Sequence, residues 1–133
     1  MKHEYNRKVE FTDDELREII DSFLEFKPVL DKGSTVDNPN WWGDESFLHL
    51  LWKYNLVDTK YNVNLNKIIE KYGKREIHSL SLEKLDFLEI MTIFTYIPRV
   101  DHHDYRSEFV QHCFDDGTYY NLLCRLEEIR NEL

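Results

Sequence analysis

The chain of 133 residues fits one domain and is long enough to bury a core without disulfides, metal or another cofactor. Hydrophobic residues make up 41% of it and aromatic residues 14%, a composition that excludes an intrinsically disordered chain. The formal net charge of -9 disfavours general nucleic-acid binding and is compatible with a protein partner that has a basic surface.

The first predicted helix has a strong start signal. Thr12 and Glu15 have the spacing of a capping box, and Phe11 can pack on Leu16 as a hydrophobic staple. Apolar residues then recur at helical spacing until Pro28 disfavours continuation.

A loop rich in Gly, Pro, Asn and Asp is predicted over residues 31–44. It contains Trp41 and Trp42, and two adjacent tryptophans are costly to leave in water. Folding back onto the domain is the favoured interpretation; the alternative is that both are binding residues that anchor a partner.

Two more helices are predicted in the middle of the chain. The second covers residues 47–54, with Asp44 as its cap and Asn55 ending it in the left-handed conformation. The third covers residues 65–72, and Gly73 is well placed just past its end.

The fourth predicted helix, residues 82–97, is apolar on nearly every side and is therefore expected at the centre of the fold. Ser79 or Ser81 can start it. Pro98 is expected to stop it, which leaves residues 97–101 extended or turned.

Two helices are predicted at the end of the chain. One covers residues 103–114 and is closed by Gly117, and the last begins with Thr118 as its cap. The sequence thus predicts an all-α protein of about six helices around the apolar helix, with a tail over residues 1–11 and a single compact domain over residues 12–133.

Acidic and imidazole side chains cluster after the apolar helix. If the fifth helix began at Asp104, then Asp104, Glu108 and His112 would share one face, with Asp101 and His103 at its entrance. Such a set suits Zn, Mn or Fe, so these five residues are candidate metal ligands. The favoured alternative is a solvated helix entrance, because no established metal motif is present and the helix dipole explains acids in a first turn.

Three arginines flank that cluster, namely Arg99, Arg106 and Arg125. They can pin the loop by pairing with Asp101 or Asp104, which is the favoured interpretation, or they can bind an anionic ligand. Arg99 and Arg106 are therefore candidate binding residues.

The cysteines and the hydropathy indicate the cellular compartment of the protein. Cys113 and Cys124 are expected to be small buried hydrophobes, and with no secretory signal the sequence predicts a cytoplasmic protein. The apolar stretch over residues 85–97 is too short and too interrupted by acids to span a bilayer.

The C-terminal half carries three segments in order: Thr95-Tyr96-Ile97-Pro98-Arg99, then Asp116-Gly117-Thr118, then Leu122-Leu123-Cys124-Arg125-Leu126. This order resembles an uncharacterised bacterial and phage family of small proteins, a domain of unknown function with a Thr-Tyr-x-x-Arg segment, a glycine and a closing Leu-Leu-x-Arg-Leu helix. The resemblance covers about residues 85–130 and departs at His102-His103, where the family has an Arg-Phe pair. It implies a compact helical domain and no activity to carry over.

These features favour a small acidic protein that binds another protein, as an inhibitor, an immunity factor or a phage anti-defence protein. One alternative is a metal-dependent hydrolase that uses residues 101–112, with Arg99 or Arg106 holding an anionic substrate. The other alternative is a homodimeric scaffold in which the apolar stripe of the last helix packs on its own copy. A binding protein is favoured over an enzyme because no complete catalytic set is present.

Overall fold

The computed structural model describes residues 7–32, 43–72, 82–103 and 108–133, although the side chains of residues 31, 32 and 101–103 are not described. The regular secondary structure in these ranges is helical, with no strand, which confirms the all-α prediction. Their elements are α1 Asp13–Leu24, α2 Lys27–Lys32, α3 Asp44–Lys53, α4 Tyr61–Lys71, a 3-10 turn Leu82–Lys84, α5 Phe87–His103, α6 Phe109–Asp115 and α7 Thr118–Asn131.

The capping box that starts α1 is confirmed. The Glu15 amide donates to the Thr12 hydroxyl at 3.1 Å, and the Thr12 amide donates to a Glu15 carboxylate oxygen at 3.1 Å. In front of this cap, the Phe11 ring packs edge-on against Phe87, with ring centroids 5.4 Å apart. The start of α1 is thereby attached to the start of α5.

Helix α1 ends at Leu24, before Pro28, as predicted, but Pro28 itself lies near the start of a second helix, α2, Lys27–Lys32. This short helix is not predicted from the sequence, and its last two residues fall in the loop predicted over residues 31–44. A proline is tolerated in the first turn of a helix, where its missing amide has no intrahelical partner to lose.

The predicted start of the apolar helix is wrong by about a turn, because α5 begins only at Phe87. Asp86 and Glu89 form a second capping box in which the Glu89 amide donates to Asp86 at 2.7 Å and the Asp86 amide donates to Glu89 at 2.9 Å. This box satisfies amides that helix α5 leaves open at its first turn, and it sets the start of the helix.

The predicted end of that helix is also wrong. Pro98 lies inside α5, which continues to His103, so residues 97–101 are helical rather than extended. Proline removes one backbone donor, the one that would bond Phe94, and the adjoining side chains offset that cost. Phe94 and Ile97 are almost completely buried, so the helix is held by its packing on both sides of the proline.

Helix α5 packs against α3, α4, α6 and α7. The buried side chains of α5 include Ile90, Met91, Ile93, Phe94 and Ile97. An aromatic cluster connects it to three other helices, with ring centroids 4.8 to 6.0 Å apart, and consists of Phe23 in α1, Phe47 in α3, Phe94 in α5 and Tyr119 in α7.

Two predicted caps are replaced by glycines. Gly43, with φ 69°, is the N-cap of α3, so Asp44 is a first-turn residue and not the cap. Gly117, with φ 84°, is the N-cap of α7, and Thr118 is the first helical residue. Glycine takes these left-handed conformations without steric cost, which lets the chain turn sharply into each helix.

The left-handed end predicted after α3 is confirmed, because Asn55 has φ 57°. The third predicted helix corresponds to α4, Tyr61–Lys71, whose C-cap is Tyr72; Gly73 lies outside the described residues. Cys113 is buried and Cys124 half-buried. In the described part of the chain, no helix is both long and apolar enough to cross a membrane.

Candidate functional site

Several residues that the sequence singles out lie outside the described side chains. These are Trp41, Trp42, Asp101, His103, Asp104 and Arg106, of which Asp101 and His103 have a described helical backbone at the end of α5. The binding and metal-ligand predictions for them therefore stay predictions.

The predicted helix over residues 103–114 is confirmed over residues 109–114 and is wrong at Glu108. Helix α6 spans only Phe109–Asp115, and Glu108 before it has a left-handed backbone with φ 50°. A left-handed residue interrupts the helical spacing that would place Asp104, Glu108 and His112 on one face. His112 instead has its Nε2 atom 3.7 Å from an Asp116 carboxylate oxygen, one turn further along.

No group of three His, Cys, Asp or Glu side chains within residues 7–30, 43–72, 82–100 and 108–133 is placed to hold a metal ion. Arg99 is half-buried on α5. Arg125 lies elsewhere than predicted, since its Nε donates to the Leu85 carbonyl at 2.8 Å, just after the 3-10 turn. It therefore stabilises the chain just before α5, whereas its predicted pairing with Asp101 or Asp104 involves side chains outside the described residues.

The most developed polar site is centred on Asp58, in the link between α3 and α4. Asp58 is only 3% exposed, and burial of a carboxylate is costly unless it is paired and hydrogen-bonded. One of its oxygens accepts from the Lys60 amide at 2.9 Å. The other accepts from the Asn64 side-chain amide at 2.8 Å and from the Thr92 hydroxyl at 2.7 Å.

Arg7 provides the countercharge. Its Nη1 atom donates to the Thr92 hydroxyl oxygen at 2.8 Å and to the Leu88 carbonyl at 3.2 Å, and it lies 3.3 Å from the Asp58 carboxylate. The Arg7 side chain is 16% exposed and that of Asp58 is 4% exposed. We call the space around this guanidinium, bounded by Asp58, Leu88 and Thr92, the Asp58 pocket.

Two fully buried threonines of α5 complete the network. The Thr92 hydroxyl has one proton, which the 2.7 Å contact assigns to Asp58, so the oxygen offers a lone pair to Arg7. The Thr95 hydroxyl donates to the Met91 carbonyl at 2.9 Å and accepts from the Asp58 amide at 3.2 Å. Their spacing within an apolar helix is the sequence signal from which this network could be anticipated.

A cleft of about 230 Å³ opens beside the Asp58 pocket. Arg7 contributes to its wall, and charged side chains of both signs line it, namely Lys67 and Lys71 from α4 with Asp86 and Glu89 from the start of α5. The cleft is therefore polar, and its charges come from two neighbouring helices.

Glu89 connects the end of α4 to the start of α5. Its carboxylate lies 3.2 Å from the Lys71 ammonium and accepts from the Tyr72 hydroxyl at 2.8 Å. The hydrogen bond with Glu89 raises the pKa of Lys71. Burial, followed by the hydrogen bond to Glu89, raises the pKa of Tyr72 above 10.0.

A second feature is the surface at the C-terminal end of α3. Trp52 is 51% exposed, although α3 buries Phe47, Leu50 and Leu51. The Lys8 amide donates to the Asn55 carbonyl at 2.9 Å, which brings the N-terminal segment, with its 62% exposed Val9, to this end of the helix.

Helix α1 contacts the end of α3 through one pair of hydroxyls. The Ser22 and Tyr54 hydroxyls are 2.8 Å apart, and Ser22 stands between the exposed Glu18 and Glu25 on one face of α1. We call the combination of Val9, Glu18, Glu25 and Trp52 the α3-end surface.

The chain was compared with protein-family models, with curated proteins and with solved structures, and none of them matches it. The resemblance to a bacterial and phage family therefore stays a prediction.

Proposed function

We propose that the protein acts by binding a protein partner with a basic surface, through the α3-end surface. Trp52 is the observation that carries this proposal. An indole that is half exposed on an otherwise well-packed helix offers a large rigid contact area, and tryptophan is among the residues that contribute most to binding energy at interfaces.

The charges on α1 support the choice of a basic partner. Asp14, Glu18, Asp21 and Glu25 follow one another at helical spacing and are exposed. Arg17 and Arg130 neutralise only part of this row, through ion pairs with Asp14 at 2.8 Å and with Asp21 at 2.6 Å. With a net charge of -9 on the whole chain, the row attracts basic partners and increases their association rate.

An inhibitor, an immunity factor or an anti-defence protein of bacterial or phage origin, acting in the cytoplasm, is the biological role we propose. Such proteins need a stable fold and one complementary surface rather than a catalytic set. Trp41 and Trp42, if they are exposed as well, would extend the aromatic contact as the sequence analysis proposes.

The experiment compares three immobilised proteins in the same bacterial lysate: wild type, Trp52→Ala and the charge-reversed Glu18→Lys/Glu25→Lys. A protein retained by wild type is purified and titrated calorimetrically against all three. We expect Trp52→Ala to weaken binding by about tenfold or more, which corresponds to about 1.4 kcal/mol. Charge reversal is expected to weaken it further at low salt.

The matched control is Asn66→Ala, which alters an exposed side chain on a different helix, α4. It is expected to bind like wild type. Equal affinities for wild type, Trp52→Ala and the charge-reversed protein would contradict the proposed function.

A further inference from the structure

We propose that the Asp58 pocket is a binding site for guanidinium groups, which Arg7 fills within the chain and which an arginine side chain of a partner fills when residues 7–11 are displaced. The proposal rests on the proposed function for the origin of that arginine. The chemistry of the pocket can be tested on the isolated protein.

The first argument is the donor and acceptor pattern. The pocket offers three oxygen atoms around one nitrogen of Arg7, from Asp58, Leu88 and Thr92, at 2.8 to 3.3 Å. The carboxylate and the carbonyl can only accept hydrogen bonds, and the Thr92 proton is already donated to Asp58. A guanidinium carries a positive charge and has only donors, and it therefore matches this set better than an anion or an apolar group.

The second argument is charge. Among the described residues, removal of Arg7 leaves the carboxylates Asp58, Asp86 and Glu89 with the ammonium groups of Lys67 and Lys71 around the pocket and its cleft. The excess charge is negative, and the carboxylate that loses its partner is the 3% exposed Asp58. A buried carboxylate without a countercharge is strongly unfavourable, so the emptied pocket favours a cation.

The third argument is that the cation is carried by a segment that can be displaced. Residues 7–12 have no regular secondary structure, and Lys8, Val9 and Glu10 are exposed. The segment contacts the α3-end surface through the hydrogen bond from Lys8 to Asn55. A partner that docks at Trp52 would therefore meet this segment, and the adjoining cleft of about 230 Å³ gives an incoming arginine a path to Asp58.

The test is chemical rescue of Arg7→Ala and Arg7→Gln with N-methylguanidinium at low millimolar concentrations, far below those at which guanidinium denatures proteins. Thermal unfolding is followed by circular dichroism. We expect both variants to gain about 3 °C or more in Tm, in a saturable manner, because a ligand that binds only the folded state stabilises it. If Arg7→Ala is unfolded in buffer, the expected result is recovery of its helical signal.

Three controls define the chemistry. Methylammonium is expected to bind about tenfold more weakly, because an ammonium group is more strongly hydrated than a guanidinium and loses more on leaving water. Wild type and Lys8→Ala, which both keep Arg7, are expected to show no saturable gain. Adding Thr92→Val to Arg7→Gln removes one acceptor and is expected to weaken the rescue.

Absence of a saturable effect of N-methylguanidinium on both Arg7 variants would overturn the proposal, and so would an equal effect on Lys8→Ala. This outcome is distinguishable from failure of the proposed function. Loss of rescue leaves the comparison of wild type with Trp52→Ala untouched, and equal partner binding by those two proteins leaves the rescue untouched.

Discussion

Two neighbouring cations in the N-terminal segment make very different ion pairs. Arg7 is 16% exposed and meets the 4% exposed Asp58 in a network of hydrogen bonds to α5. Lys8 is 42% exposed and meets the 41% exposed Glu15 on the surface of α1. The two pairs have the same formal charges and similar chain positions, so the difference between them is burial.

Burial changes what each pair contributes. Water and salt screen the Lys8–Glu15 pair, so little stability depends on it. The carboxylate of Asp58 has lost its water, and removal of either partner leaves the other charge buried without compensation. We infer that Arg7 attaches the N-terminal segment to the domain, whereas Lys8 contributes little to that attachment.

The largest expected effect is on stability, and it comes from replacing the carboxylate of each ion pair with the matching amide. Asp58→Asn should destabilise the protein by about 3–5 kcal/mol, because it removes the countercharge of a mostly buried arginine. Glu15→Gln should have a much smaller effect, since its pair is exposed. Urea unfolding measures both, and equal losses for the two substitutions would contradict the contrast.

The next effect concerns the hydroxyl between Arg7 and Asp58. Thr92→Val keeps the shape of the side chain but removes one donor and one acceptor, so it should cost about 1–3 kcal/mol. The matched control is Thr59→Val, which alters an exposed threonine in the link between α3 and α4. If Thr92→Val costs no more than a surface substitution, the network does not hold Arg7.

A third prediction compares the two capping boxes, one beside each ion pair. Thr12→Ala and Asp86→Ala should each cost about 1 kcal/mol, because each removes the side-chain acceptor for a first-turn amide. Asp86 also lines the cleft, so only Asp86→Ala should alter the binding of N-methylguanidinium to Arg7→Gln. Equal rescue in both backgrounds would show that Asp86 contributes no charge to the site.

The smallest expected effect is the dependence of folding stability on pH through the Lys8–Glu15 pair. The hydrogen bond from Lys8, followed by that from the Thr12 amide, lowers the pKa of Glu15 below its ordinary value of 4.5. The resulting stability is fully present above pH 4.5 and is lost as the pH falls through the lowered pKa. Titration of Glu15 by NMR should give a lower pKa in wild type than in Lys8→Ala; identical values would contradict a contribution from Lys8.

Local signals made much of the fold predictable from sequence. The capping box of Thr12 and Glu15 and the left-handed Asn55 depend on residues a few positions apart, and both are confirmed. The same pattern at Asp86 and Glu89 is hidden within an apolar run that suggests an earlier start. Pro98 predicts an end of the helix that is too early. The buried packing of α5 outweighs the local preference of proline for ending a helix.

The candidate site was not predictable by the same reasoning. Arg7 and Thr92 are 85 positions apart in the chain, and Arg7 lies in a segment that the sequence analysis assigns to a tail. Only the two threonines in an apolar helix hinted at a buried polar network. Glu108 and His112 show the opposite error, because the regular spacing that predicts a helix through both residues is interrupted where the backbone at Glu108 is left-handed.

The most direct test of whether Asp58 holds Arg7 is a double-mutant cycle on urea unfolding with Arg7→Gln, Asp58→Asn and the double variant. If the buried carboxylate holds the guanidinium, the losses of the two single variants will not add, and the coupling energy will reach about 1.5 kcal/mol or more. Losses that add to within about 0.5 kcal/mol would contradict it, because they would mean that the two side chains stabilise the fold independently.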